Sequence, residues 1–152
     1  MRIVIQRVSE ASVTIDHVQK SSIQQGLLVL AGFESEDTPE DLSWIVKKII
    51  QLRIFDDLNG VMNLSVKDID GEILAVSQFT LHAKTKKGNR PSYINAAPPG
   101  LAIPLYRNFV QLLSESLGKE VQTGEFGAMM MMVKLTNDGP VTIIIDSKNK
   151  EL

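Results

Sequence analysis

The sequence predicts an α+β fold in which a mostly antiparallel sheet curls toward a barrel and two main helices pack against it. Short β-branched and apolar runs fill the first third of the chain, two amphipathic helical patterns follow, and turn residues separate the segments. A length of 152 residues suits one core. We therefore expect a single domain over residues 1–146 and a polar C-terminal tail over residues 147–152.

Strands are predicted where alternating or continuous apolar runs are bounded by turn residues. The predicted strands are Ile3–Val8, Ala11–Ile15, Gln19–Ile23, Leu27–Phe33, Glu72–Leu81, Val121–Thr123, Met129–Thr136 and Val141–Asp146. Residues 83–100 are rich in Lys, Gly, Asn and Pro and are predicted to form a long loop. Loops of that length in a compact domain are usually functional or disordered.

Capping signals and periodicity predict both helices. Thr38 is a good N-terminal cap, Pro39 suits the first helical position, and apolar residues then recur at helical spacing as far as Leu52. A second helix is predicted from Ile103 or Pro104 to Leu117, with a glycine after it as the C-terminal cap.

Composition excludes several kinds of chemistry. The chain has no cysteine, which excludes disulfides, thiolate catalysis and cysteine-based metal sites, and only His17 and His82 remain as imidazoles. We therefore expect neither a metal nor a cofactor. The net charge is −2, with 16 basic and 18 acidic residues, so a basic surface would have to be local. No segment has the long apolar run of a signal peptide or a membrane span, and we expect a cytoplasmic protein without a membrane partner.

The stretch from Asn137 to Thr142 combines a tight polar turn with a Gly-Pro bond between two runs of strand-forming residues. An Asn-Asp-Gly turn is ordinary hairpin chemistry, so a hairpin is one interpretation. X-Pro bonds are also where cis peptides occur, and a glycine there can present backbone carbonyls to a ligand. The alternative interpretation is a recognition device made of backbone.

The end of the predicted strand Glu72–Leu81 could carry chemistry. Alternation along a strand would place Gln78, Thr80 and His82 on one face. A hydroxyl close to an imidazole could be a nucleophile with its base, although a solvated polar stripe is the commoner explanation and no third member of a triad is identifiable.

Four cations stand close together in the predicted loop, followed by an aromatic residue, Tyr93. A flexible basic loop with an aromatic side chain can hold phosphate and stack a base, whereas the alternative is a solvated surface loop. The four cations, which we take as candidate contacts to phosphate, are Lys84, Lys86, Lys87 and Arg90.

Two segments, Ser77–Leu81 and Asn137–Thr142, together resemble the two signature motifs of the D-aminoacyl-tRNA deacylases, also called D-tyrosyl-tRNA(Tyr) deacylases. The resemblance covers essentially the whole chain, because other segments are similar to family landmarks: Ile5–Val8, Arg53–Phe55, Met62–Asn63, Arg90–Ser92 and Thr123–Gly124. It implies the fold of that family and a homodimer. It also implies hydrolysis of the ester between a D-amino acid, or glycine, and the 3′-terminal adenosine of tRNA.

The resemblance implies roles for the residues of both motifs. In the family a cis Gly-Pro bond reaches into the neighbouring subunit's active site, and Gly139 and Pro140 match it here; their carbonyls would meet the substrate's α-amino group and leave no room for an L side chain. The other motif would line the ester, with backbone N–H groups near Phe79 and Thr80 holding the carbonyl oxygen. The matching residues of that motif are Ser77, Gln78, Phe79 and Thr80.

The same resemblance places Arg7, Ala97 and Phe126 in the substrate pocket, together with one methionine of the run that follows. Counting forward from Phe126 gives Met130, whereas counting back from the second motif gives Met131, and both are candidates. Two other functions compete with this prediction: a non-catalytic RNA-binding module built on the basic loop, and a generic esterase that uses Thr80 and His82.

Overall fold

The computed structural model describes residues 1–152, except for the side chain of Val133. The strands are β1 Arg2–Ile15, β2 Val18–Ile23, β3 Gly26–Gly32, β4 Phe55–Asp56, β5 Met62–Leu64, β6 Glu72–Ser77, β7 Gln122–Thr123 and β8 Met131–Asp146. The helices are α1 Pro39–Gln51, α2 Pro99–Leu117 and a short 3₁₀ helix, Phe79–His82.

Six strands form one mixed sheet. Five of them follow the order β2, β1, β3, β6, β7, and the sixth, β8, also pairs with the long strand β1. The pairs of β1 with β2, β3 and β8 are antiparallel, whereas β3–β6 and β6–β7 are parallel. Strands β4 and β5 form a separate ribbon. The predicted α+β class, with a mostly antiparallel and nearly barrel-shaped sheet and two main helices, is confirmed.

β1 and β8 are each longer than the sequence predicts, because bulges bend these strands without ending them. β1 runs through Ser9 and Glu10 as one strand of 14 residues. β8 likewise continues for 16 residues through the Asn137–Thr142 motif. Thr142 pairs with Gln6 and Asn137 with Val8, so that four residues of β8 bulge opposite Arg7 alone. The hairpin interpretation of this motif is therefore wrong.

Helix α1 begins as predicted, with a capping box. Thr38 Oγ1 accepts a hydrogen bond from the backbone N–H of Asp41 (3.4 Å), and the Asp41 carboxylate accepts one from the backbone N–H of Thr38 (2.9 Å). Burial by itself would raise the pKa of Asp41, but hydrogen bonds from Lys148 and Thr38 hold it well below its usual range. Lys148 Nζ lies 2.6 Å from the carboxylate, so the start of the polar tail is anchored to α1.

Helix α2 begins at Pro99, earlier than predicted, and contains Pro104 in its interior. Proline lacks an N–H and is therefore commonest in the first turn of a helix, which is why the sequence predicts a start near Pro104. In the structure Pro104 lies inside the helix, which tolerates one missing hydrogen bond near its start. The predicted end is confirmed: Gly118 takes a left-handed conformation, with φ 85°, and its N–H donates to the Ser114 carbonyl.

The sheet separates two apolar clusters, because successive strand residues point to opposite faces. Ile73 belongs to the larger cluster between the sheet and the helices, which includes Phe109 of α2, whereas its neighbour Leu74 belongs to the smaller cluster on the other face. Met130 and Met132 pack against the smaller cluster. Within the described residues, no helix is long and apolar enough to cross a membrane.

Tyr106 ties α2 to the sheet. Its hydroxyl donates to the Ala75 carbonyl of β6 (2.9 Å), and burial raises the pKa of Tyr106 to about 12. The ordinary pKa of a tyrosine is about 10. Because the folded-state pKa is raised, the folded chain prefers the neutral phenol, so this contribution to stability is complete below about pH 10 and is lost as the pH rises toward 12.

We predict that Tyr106→Phe lowers the free energy of unfolding by about 1 kcal/mol below pH 10, the usual value of one hydrogen bond. The difference between variant and wild type should shrink or reverse as the pH rises above 10. Urea unfolding of both proteins from pH 8 to pH 11 measures this difference in the free energy of unfolding. Tyr93→Phe, which removes a hydroxyl from a side chain 39% exposed, should change stability by less than about 0.5 kcal/mol. A pH-independent difference at Tyr106 would contradict this assignment.

Candidate active site

The parallel strands β3 and β6 end side by side and open into a cavity of about 800 Å³. Ala31 pairs with Ser77, and the N–H of Gln78 donates to the Ala31 carbonyl (2.7 Å) as the last bond between the strands. The crevice beyond the carboxyl ends of parallel strands is a frequent ligand site. The cavity is lined by Leu30, Ala31, Phe33, Val76, Ser77, Gln78, Phe79, Tyr93, Ala96, Ala97, Pro99, Ala102, Phe126, Gly127, Ala128, Met129, Met130 and Met132.

The Ser77–Leu81 motif leaves the sheet and turns into the 3₁₀ helix, although its alternating sequence predicts a strand to Leu81. The first N–H groups of such a helix have no partner within it, and here these belong to Phe79 and Thr80. Two later N–H groups close the turn: that of Leu81 donates to the Gln78 carbonyl (3.3 Å), and that of Ala83 donates to the Thr80 carbonyl (3.1 Å). Among the described residues we find no acceptor for the N–H of Phe79 or Thr80.

The side chains of Thr80 and His82 do not form a catalytic dyad. Thr80 Oγ1 accepts a hydrogen bond from Gln78 Nε2 (2.5 Å), and His82 is buried with its Nδ1 3.3 Å from Glu34 Oε1. The prediction of a shared strand face is wrong because the strand ends at Ser77. The generic esterase hypothesis therefore loses its nucleophile and base.

Aromatic side chains stand along the cavity. Phe79 and Tyr93 pack edge to face with ring centroids 5.0 Å apart, and Phe126 contacts Tyr106 with centroids 5.9 Å apart. Phe79 is 56% exposed, so its ring is available to a ligand. Aromatic faces of this kind can stack on a nucleobase or enclose an apolar side chain.

The cavity includes Met130 and not Met131. The sulfur of Met130 lies where a side chain on Gly124 would begin: a Cβ built on Gly124 would be 2.2 Å from it. Met131 is absent from the lining of the cavity and is 57% exposed. Two small wall residues, Ala96 and Ala102, were not predicted, since an alanine carries no chemical signal in a sequence and its contribution is the volume that it leaves free.

Arg7, which the resemblance places in the substrate pocket, does not line the cavity of its own chain. Its side chain is buried and donates to the carbonyls of Ile54 (2.6 Å) and Asp138 (2.9 Å). The carboxylates of Asp56 (3.6 Å) and Asp138 (3.5 Å) balance its charge. Arg7 thus fixes the bulge of β8, and within a single chain it does not reach the cavity.

Gly139 and Pro140 stand on that bulge, joined by a cis peptide bond, and both are exposed. Neither lines the cavity of its own chain. Gly139 has φ 136°, and a Cβ on it would lie 2.8 Å from Val141 Cγ2 and 3.1 Å from Arg7 Nη2. Its backbone and its surroundings therefore both require glycine.

The basic part of the predicted loop, residues 84–90, is exposed and does not line the cavity. Two backbone hydrogen bonds between Lys84 and Ser92 (2.8 and 3.0 Å) close it into a hairpin-like lobe. None of its four cations lines the cavity, although Tyr93 at its base does. The cations concerned are Lys84, Lys86, Lys87 and Arg90.

A second cavity of about 560 Å³ lies between α1, α2 and the segment after β5, and it contains none of the predicted site residues. Across the described side chains, no group of three or more His, Asp or Glu is arranged to hold a metal ion.

Comparison with known proteins agrees with this geometry. The family described as D-Tyr-tRNA(Tyr) deacylase matches residues 4–146. A D-aminoacyl-tRNA deacylase of Flavobacterium psychrophilum is 67% identical over 151 residues, covering 99% of this chain and 100% of the relative. One from Bacteroides fragilis is 65% identical with the same coverage.

Two solved structures share the fold. The c-Myc DNA Unwinding Element Binding Protein has a TM-score of 0.91 and 42% identity, covering 96% of this chain and 98% of that one. A probable eukaryotic D-amino acid tRNA deacylase has a TM-score of 0.81 with 19% identity, covering 95% and 98%, and it supports the fold alone. The family match and the relatives over almost the full length place the chain in the D-Tyr-tRNA(Tyr) deacylase family.

Proposed function

We propose that this chain hydrolyses the ester between a D-amino acid, or glycine, and the 3′-terminal adenosine of tRNA, as a proofreading enzyme of the cytoplasm. Family membership makes it an ester hydrolase that acts on aminoacyl-tRNA. The observation that carries the proposal for this site is the pair of unpartnered N–H groups at Phe79 and Thr80: Phe79 lines the cavity of about 800 Å³, and Thr80 follows it in the 3₁₀ helix.

The chemistry needs little beyond positioning, because an aminoacyl ester is already activated. Water attacks the ester carbon, and the carbonyl oxygen becomes an oxyanion that the N–H groups of Phe79 and Thr80 stabilise. The intermediate collapses to the free amino acid as the ribose oxygen leaves and takes a proton. The neighbouring ribose hydroxyl can assist that transfer. No covalent bond to Thr80 is required.

Chiral selection is assigned to Gly139 and Pro140 of a second subunit. The two residues are exposed, lie outside their own cavity and are held rigidly by Arg7, which suits a wedge that enters a neighbour's cavity. Enantiomers carry the same groups, so a site separates them only by making one arrangement clash. Glycine has no side chain to clash and is therefore accepted.

A homodimer is required by this assignment, and the edge of the sheet supports it. Strand β8 pairs with β1 on one side only, over the part of the chain that the structure describes. Leu135 (41% exposed) and Ile144 (47%) present apolar surface on the same strand. Open, apolar strand edges favour association with another chain.

Hydrolysis of one amino acid in its two chiral forms tests the proposal. We expect D-aminoacyl-tRNA to be deacylated at least roughly 100-fold faster than the L form, because a misplaced reacting group lowers the reaction rate by about that factor. Gly139→Ala should remove most D-specific turnover, because the new Cβ would displace the segment next to Val141.

Gly118→Ala is the matched control, since Gly118 also has a positive φ but a Cβ added to it would meet nothing within 4 Å, and it caps α2 away from the cavity. It should retain activity. Equal hydrolysis of both enantiomers, or full activity in Gly139→Ala, would contradict the proposal. Salt-sensitive tRNA binding without hydrolysis would support an RNA-binding module instead.

We also predict that Thr80→Ala keeps its turnover number within about tenfold of the wild type. Losing a covalent nucleophile costs on the order of 10⁶ in comparable hydrolases, whereas the backbone N–H of residue 80 survives the substitution. Single-turnover hydrolysis of D-aminoacyl-tRNA provides the measurement. Isolation of an acyl-Thr80 adduct would overturn the mechanism.

A further inference from the structure

Residues 73–114 differ in charge from the rest of the chain. They contain five basic residues and no acidic one, so the remainder holds 11 basic and all 18 acidic residues. The same segment supplies the active-site turn and half of the residues that line the larger cavity. A polyanion is therefore repelled by the net charge of most of the chain and attracted to this segment.

Four of these five cations lie on an exposed lobe, residues 84–92, which we call the basic lobe. Gly88, with φ 67°, stands midway along it, where the chain turns back. Other lysines of the chain are paired, such as Lys119 with Asp70 at 2.6 Å. Among the described side chains, no carboxylate pairs with a cation of the basic lobe. The four charges are thus available to an external anion.

Both ends of the basic lobe join the candidate active site. Ala83, just before it, donates to the Thr80 carbonyl of the 3₁₀ helix (3.1 Å), and Tyr93, just after it, lines the cavity and packs on Phe79. An extended chain advances about 3.3 Å per residue, so the tip stands up to about 13 Å from Lys84. One strand of a nucleic-acid helix advances about 3.4 Å per nucleotide, and the basic lobe can follow about four nucleotides.

We propose that the basic lobe binds the backbone phosphates of the tRNA nucleotides that lead to the terminal adenosine. This inference rests on the proposed function, in which the cavity holds the aminoacyl-adenosine. The adenosine brings no phosphate of its own to the cavity, whereas each nucleotide before it adds one. The cations do not line the cavity, so they contribute to the affinity for RNA and not to the hydrolysis of the ester. Phosphates are alike along the strand, and the contact therefore has no base preference.

The test compares two substrates that carry the same ester, D-aminoacyl-tRNA and D-aminoacyl-adenosine, in a variant with all four lobe cations replaced by Gln. At about 0.1 M salt we expect kcat/KM for the tRNA to fall on the order of 100-fold through KM, because four phosphate contacts are lost, with kcat within about twofold. Hydrolysis of D-aminoacyl-adenosine should stay within about twofold of the wild type. An equal loss with both substrates would contradict the inference, because the basic lobe would then act on the chemistry.

A matched pair of double variants separates the basic lobe from the total charge of the protein. Lys86→Gln with Lys87→Gln should lower kcat/KM for D-aminoacyl-tRNA at least about tenfold, whereas Lys20→Gln with Lys47→Gln, which removes two exposed cations elsewhere, should lower it less than about threefold. Lys86→Arg with Lys87→Arg keeps both charges and should retain the wild-type value. Equal losses in the two Gln pairs would refute a local site.

The salt dependence of tRNA binding examines the basic lobe without using activity. The slope of log association constant against log salt concentration, measured by fluorescence anisotropy with uncharged tRNA, should become less steep by about 0.7 for each cation removed. The change should be about 1.4 for the Lys86 and Lys87 pair and about 3 for the fourfold variant. An unchanged slope would refute the inference.

The two proposals fail in different ways. A fourfold variant that binds and hydrolyses D-aminoacyl-tRNA like the wild type would refute the role of the basic lobe and leave the proposed function intact. A wild type that hydrolyses neither D-aminoacyl-tRNA nor D-aminoacyl-adenosine would refute the proposed function, while the salt dependence would still decide whether the basic lobe binds RNA.

Discussion

The parallel pairing of β3 with β6 is the constraint on which the rest of the site depends. It starts at Gly26, where even a methyl group would lie 1.9 Å from the Glu72 carbonyl, and it ends with the bond from Gln78 N–H to the Ala31 carbonyl. Because the two strands end together, the chain after Ser77 must turn at the edge of the cavity. The two N–H groups without an acceptor, those of Phe79 and Thr80, belong to that turn, and our proposal gives them the role of oxyanion donors.

In the function that we propose, the cavity and the segment Gly139–Pro140 would divide the work of recognition between two parts of the fold. Small residues such as Ala97, and the close approach of Met130 to Gly124, set the shape of the cavity. Arg7 holds Gly139 on a bulge outside it. A backbone segment fixed in this way can exclude one enantiomer by a steric clash, because it has no rotatable side chain that could move to accommodate it.

Sequence patterns predicted the fold class and the first helix because local chemistry decided them: the Thr38–Asp41 capping box forms as expected. They failed where tertiary contacts override local pattern. The alternation through Leu81 is typical of a strand, but the sheet ends at Ser77, and the turn residues of the second motif form a bulge because β1 pairs with β8 on both sides of it. Arg7 was assigned to the substrate by resemblance, whereas only the folded chain reveals its contact with Asp138.

Nuclear magnetic resonance with a non-hydrolysable substrate analogue can establish whether the oxyanion donors and the wedge meet the same ligand. In 3′-amino-3′-deoxyadenosine an amide can replace the ester, and both D- and L-aminoacyl forms can be made. We expect the D form to shift the backbone amide signals of Phe79 and Thr80 together with that of Gly139, and the L form to leave them unchanged. Shifts confined to Lys84–Arg90, or equal shifts with both forms, would contradict chiral selection by a backbone wedge.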